Sequence, residues 1–156
     1  MVERKHVRQA AKSLFKTAVV VEGARGAPPH CLFISLSHED GPFAEDLTQK
    51  LDAAGLTYCK ADRDIQLASD WAEATWDLIR GCSVFLCVVT PRFLKSRWFL
   101  LEAGAACACK KRVVLALRHV ETKQVPEPLD RFQSMTVENN QQLDTLIKKL
   151  RRMCRG

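Results

Sequence analysis

Two runs of the chain narrow its fold more than anything else in the sequence. SVFLCVV (83–89) and RVVLAL (112–117) are apolar with no polar alternation. A strand of that kind is buried on both faces, and strands buried on both faces belong to parallel sheets covered by helices. The segments around them agree. CLFISL (31–36) and LTYCKA (56–61) read as strands, and SMTVE (134–138) as a weaker one. Helical patterns separate them. Residues 43–54 place Phe43, Leu47, Leu51 and Ala54 on one face, with Asp40 as cap, Pro42 in the first turn and Gly55 at the end. Residues 71–80 form a helix opened by Asp70 and Glu73 as a capping box. Residues 97–110 form another. The last helix starts at Asn140 with the stripe Leu143, Leu146, Ile147, Leu150 and Met153.

Strands and helices therefore alternate as βαβαβαβαβα. This predicts an α/β protein with a flavodoxin-like three-layer sandwich: a five-stranded parallel sheet in the order 2-1-3-4-5, with helices on both faces. The length of 156 residues suits one domain. Residues 1–29 lie ahead of it: residues 2–18 fit a basic amphipathic helix, and GARGAPP (23–29) a linker. The domain proper then spans 30–156. The apolar face of the leading helix is rich in Ala and makes a weak membrane anchor.

Charge and cysteine use bound the partners. Residues 1–30 carry six Lys/Arg against two acids, a net +4. Residues 31–109 carry seven against eleven, a net −4, and residues 110–156 eleven against five, a net +6. The basic ends read as solvated helix faces, because no aromatic residues interleave the cations as a stacking surface for nucleic acid would need. No apolar run reaches the roughly 20 residues of a membrane-crossing helix, and the N-terminus has no signal-peptide pattern. The seven cysteines lie mainly in or beside apolar segments, which favours small buried hydrophobes over a disulfide framework and hence a reducing, cytoplasmic setting. Cys107 and Cys109 lack a second Cys/His pair, so no zinc site is expected.

In a sheet of this topology ligands sit beyond the carboxyl ends of the strands, where the strand order reverses. The loops there are SHEDG (37–41), DRDIQLASD (62–70) and TPRFLKSR (90–97). The common nucleotide motifs are absent: no G-x-G-x-x-G follows the first strand, and there is no GK[ST]. A phosphorylated receiver would need an Asp where the third strand ends in VVTP. Ser37 and His38 are sequence neighbours and cannot easily build a triad. One carboxylate stands out. KSRWFLLEAGAA (95–106) is apolar enough for a buried helix yet holds Glu102. Trp98 is four residues earlier and shares its face, Ala105 and Ala106 leave that face open, and Gly104 admits a close neighbour. Such a carboxylate can grip a ribose or stabilise an oxocarbenium-like cation. It can equally cap a loop or pair with Arg92 or Arg97.

The ordered set FIS-x-S-x-x-D (33–40), an acid after the second strand (Asp62), SVFLCVVTPRFLKSRWFLLEAGAA, and LEAGAACACKKRVVLAL followed by VPEPLDRFQSMTV resembles a TIR (Toll/interleukin-1 receptor) domain, in its bacterial-type branch. The resemblance covers residues 31–152. It implies cleavage of the nicotinamide–ribose bond of NAD+ to nicotinamide and ADP-ribose or its cyclic isomer, with NAD+ as substrate and no cofactor or metal. Its W-x-x-x-E motif maps onto Trp98 and Glu102, with Glu102 catalytic and Trp98 shaping the pocket. Ser35, Ser37 and His38 would line the nucleotide site, and Asp62 and Arg63 would close the cleft. The loop 62–70 would carry self-association, although it reads IQLASDW where the family usually has a glycine turn, and Leu36 stands where a polar or aromatic residue is frequent. Immune or cell-death signalling, triggered by assembly or by a sensor domain or partner protein, is the implied setting. The alternative functions are a non-enzymatic TIR scaffold and, from another class of N-glycoside chemistry, a relative of nucleoside deoxyribosyltransferases.

Overall fold

In the computed structural model, residues 31–37, 40–61, 79–95, 104, 107, 110–127 and 129–155 are described. They contain five strands: β1 (Leu32–Ser35), β2 (Tyr58–Ala61), β3 (Val84–Val89), β4 (Arg112–Leu117) and β5 (Gln133–Thr136). All four pairings are parallel, and the order is β2-β1-β3-β4-β5. This is the predicted sheet. The two apolar runs that demanded burial on both faces occupy its centre: every residue of β3 is buried, as is all of β4 after Arg112.

The alternating pleat divides the core in two. Leu32, Ile34, Val84, Leu86, Val88, Val114 and Ala116 face one layer. That layer is built by helix α1 (Gly41–Ala53), through Phe43, Leu47 and Leu51, and by the C-terminal helix. Phe33, Phe85, Cys87, Val89, Val113, Leu115 and Leu117 face the other, with Ile79 and Phe93. Phe33 and Phe85 stack there, their ring centroids 5.2 Å apart. Helix α2 (Pro91–Leu94) follows β3 directly, a single turn within the segment read from the sequence as a loop. Helix α3 (Asn140–Arg155) buries Leu143, Leu146, Ile147 and Leu150, the predicted stripe, with Met153 half-buried. Gly55 ends the connection after α1 at φ 69°, a backbone conformation that a glycine adopts without strain.

The helix at 71–80 is described at Ile79 and Arg80, and the one at 97–110 at Gly104 and Cys107. The leading segment 1–29 and the loop 62–70 lie outside the described residues. Among those described, no helix is long and apolar enough to cross a membrane.

Cysteine use departs from expectation. Cys59, Cys82 and Cys87 are buried thiols outside any disulfide, as anticipated, but Cys107 is exposed and Cys31 and Cys154 form a disulfide with their Cα atoms 5.8 Å apart. The pairing spans 123 residues of sequence and so left no local signal. It arises because α3 runs back along the sheet from the end of β5 and delivers its last turn to the start of β1. With this bond present, cysteine usage no longer argues for a reducing compartment.

Candidate functional site

The carboxyl ends of β1, β3, β4 and β5 converge on one edge, and the polar groups there are tied to one another across loops. After β1 the chain turns at Ser37, whose carbonyl accepts from the Asp40 N–H at 3.0 Å. Asp40 occupies the N-cap position of α1, where the sequence places it. Its side chain makes no capping bond, however. It reaches across the edge instead: the Thr90 hydroxyl donates to Asp40 Oδ2 at 3.0 Å. The same Thr90 oxygen accepts from the Phe93 N–H at 3.2 Å and so caps α2. Thr90 is buried and Asp40 half-buried, which strengthens the bond between them. One threonine thus joins the loop after β1 to the start of the segment leading toward Trp98 and Glu102.

A second tie closes the far side. Arg118, the first residue after β4, lays its guanidinium over the Phe43 ring, 4.0 Å from the centroid. Its Nη1 donates to the Val137 carbonyl at 3.0 Å. The first turn of α1 and the end of β5 are therefore held by one side chain. Next to it the His119 N–H donates to Glu138 Oε1 at 2.6 Å, and His119 Nδ1 lies 3.2 Å from Glu138 Oε2, near solvent.

Of the residues predicted from sequence to bind or act, Ser35 and Ser37 are described. Ser35 ends β1, in register with Ala61 and Cys87, and is 0% exposed, so in this conformation its hydroxyl is not accessible to a ligand. Ser37 is half-buried in the turn. Glu102, Trp98, His38, Asp62 and Arg63 lie outside the described residues. Gly104 is helical and exposed, and a Cβ built on it meets no atom within 4 Å, so no described residue makes the close approach that a glycine there would admit; Ala105 and Ala106, expected to leave that face open, lie outside the described residues. Among the described residues no group of three or more His, Cys, Asp or Glu is placed to hold a metal ion.

The ties through Thr90 and Arg118 went unread in the sequence. Thr-Pro is a recognised helix start, with a hydroxyl cap followed by a ring preset for the first turn, and that pattern in TPRF was available. Arg118 had a weaker sign, as the first cation after an apolar strand.

Residues 32–151 match the family model described as TIR domain. Among solved structures, the chain is similar to the TIR domain of the Toll-related receptor TRR-2 from Hydra magnipapillata, with TM-score 0.66, 21% identity, and coverage of 82% of this chain and 100% of that one. It is also similar to a metazoan TIR-STING receptor from C. gigas solved with 2′,3′-cGAMP, with TM-score 0.63 and 20% identity, covering 83% of this chain and 40% of the receptor. A third similar structure is the CMP N-glycosidase BcmB of Clostridium botulinum, with TM-score 0.51 and 20% identity, covering 76% of this chain and 96% of that one. At these identities the likeness is one of fold. No curated protein matches the sequence.

Proposed function

The chain belongs to the TIR-domain family, and on that premise we propose that it is an NAD+ glycohydrolase or cyclase, active when self-assembled and serving immune or cell-death signalling. The observation that carries this reading is the spacing of Trp98 and Glu102 in the segment that follows β3 and α2 at the ligand edge of the sheet. On a helix the four-residue spacing places indole and carboxylate on one face. In this reading Glu102 holds the nicotinamide-side ribose. As the C1′–N bond breaks, the bonding pair leaves with nicotinamide and positive charge develops on the ribose ring, which the Glu102 carboxylate stabilises. Water then adds at C1′ and loses a proton, giving ADP-ribose, or the adenine of the same molecule attacks and closes the cyclic product. Trp98 shapes the nicotinamide side, while Ser37, His38, Asp62 and Arg63 close around ribose and phosphate. Loop 62–70 pairs with a neighbouring copy, and a sensor domain or partner protein drives assembly.

The fold of the C. botulinum CMP N-glycosidase lends support, since it shows N-glycoside cleavage carried on a sheet of this kind. The test is chromatography of NAD+ incubated with concentrated or crowded protein. Nicotinamide should appear, and Glu102→Gln should abolish it at unchanged thermal stability. CMP in a parallel reaction separates a dinucleotide from a nucleotide substrate. If every assembled form leaves NAD+ intact, the enzyme reading is wrong. Assembly without turnover would leave a signalling scaffold, the role suggested by likeness to a receptor's TIR domain.

A further inference from the structure

The edge of the sheet opposite the ligand loops gathers positive charge that is scattered in sequence. Register shows how. Arg112 opens β4 opposite Val84, the first residue of β3. The Val84 and Ser83 N–H groups both donate to the Cys31 carbonyl at 2.9 Å, which places the start of β1 beside them. Cys31 is bonded to Cys154 in the last turn of α3. The cations of residues 110–112 and those of the end of α3 therefore share one edge.

On α3, Lys148, Arg151, Arg152 and Arg155 are all exposed and stand at i, i+3, i+4 and i+7, one continuous stripe opposite the buried leucines. Lys110 and Arg112 are exposed at the start of β4. None of these six forms an ion pair with another described residue. The one acid on the exposed stripe of α3, Asp144, is about three turns away from the helix end and is taken by Lys50 at 2.5 Å. Among the described residues the acids near this edge are few: Asp52 at the end of α1 and Asp130 before β5. Cations in the last turn of a helix offset its dipole, which accounts for Arg152 and Arg155. It does not account for Arg112, the first residue of β4, or for Lys110 in the turn before it.

We infer that this basic edge is a docking surface for an anionic lipid bilayer. The charge runs from the start of β4 to the end of α3 beside the start of β1, two strands away, roughly 10 Å at the usual strand spacing, and extends along the exposed face of α3. A broad field of this shape matches a planar array of headgroups better than the linear rows of a phosphodiester backbone. None of the six Lys and Arg side chains makes a ring contact with another described residue, as stacking on bases would favour, while headgroup attraction needs charge alone. Docking this edge leaves the ligand edge, at the other end of every strand, facing away from the membrane. The inference does not depend on the activity proposed above.

The test is sedimentation of the full chain with vesicles of phosphatidylcholine alone and of phosphatidylcholine with roughly 30% phosphatidylserine. The protein should pellet with the anionic vesicles only and should be released by about 0.5 M salt. Lys110→Glu/Arg112→Glu on the sheet, and separately Arg151→Glu/Arg152→Glu on the helix, should each weaken partitioning by about tenfold or more. Lys95→Glu/Lys123→Glu, an equal charge change near the ligand edge, should bind as wild type. Circular dichroism verifies the fold of each variant, and the two basic arms lie on different elements, so one folded variant suffices. Equal pelleting with neutral vesicles, wild-type binding by both edge variants, or capture of duplex DNA or RNA in place of vesicles would each overturn the proposal.

Discussion

Thr90 concentrates the residue-scale physics of the ligand edge. Its oxygen accepts from Phe93 N–H and its hydroxyl donates to Asp40, so one side chain serves a helix cap and a loop tie. Replacing it by Val keeps the shape and removes both bonds. Thr90→Val should cost about 1–2 kcal/mol in denaturant unfolding, and Thr90→Ser should recover most of the loss. A Val variant as stable as wild type would show the tie to be incidental. The buried thiol of Cys59 offers a second measurement. Burial, and then its neighbour Cys82, push it up to about 12, whereas Cys107 is exposed. Iodoacetamide near pH 8 should therefore label Cys107 and spare Cys59 in the folded protein. Equal labelling would contradict the packing of β2 against β1. From sequence, CKA in a strand already implied a buried thiol, but nothing marked Asp40 as the partner of a threonine fifty residues away.

At the scale of elements, α3 is the most legible part of the chain. Leu143, Leu146, Ile147 and Leu150 repeat at helical spacing and all four are buried. Leu146→Ala should cost about 2–5 kcal/mol, because the pocket between α3 and the sheet cannot close around the missing atoms. What periodicity does not disclose is where the helix ends in space. That is decided by its packing along the sheet, which brings Cys154 to Cys31. The bond closes a very long loop, and its loss in Cys154→Ser should lower stability by about 2–4 kcal/mol. The melting temperature should fall by roughly 5–15 °C. Alkylation of the unreduced protein followed by mass spectrometry should find Cys31 and Cys154 unlabelled and joined, and free thiols at both positions would refute the pairing. The short helix α2 is the opposite case. It was hidden in a segment read as loop because a single turn has too few residues for periodicity to register, and its Thr-Pro start was the only cue.

For the whole molecule, alkali probes the buried layers together. Tyr58 is 1% exposed, and burial, followed by the nearby Asp52 carboxylate, raises its hydroxyl from 10.0 to about 12. Cys59 is raised from 9.0 to about 12. Both groups ionise more readily in the unfolded chain, so between these limits the unfolded state binds fewer protons than the native one. Their contribution is intact below about pH 9 and is lost as pH climbs toward 12. Denaturant midpoints should fall steadily over that window, and Cys59→Ala/Tyr58→Phe should flatten the fall. The sequence by itself determined the sheet, its strand order and the layers of its core, because apolar runs, helical stripes and caps are local and each must be buried in only one way. It also carried the family resemblance and the Trp98–Glu102 spacing. Tertiary structure alone decided which distant groups meet: Asp40 with Thr90, Arg118 with Phe43, Cys31 with Cys154, and cations from β4 and α3 on one edge. The physical reason is that a side chain's local pattern sets which way it faces, whereas its partner across the sheet is chosen by how the helices pack and where their ends arrive.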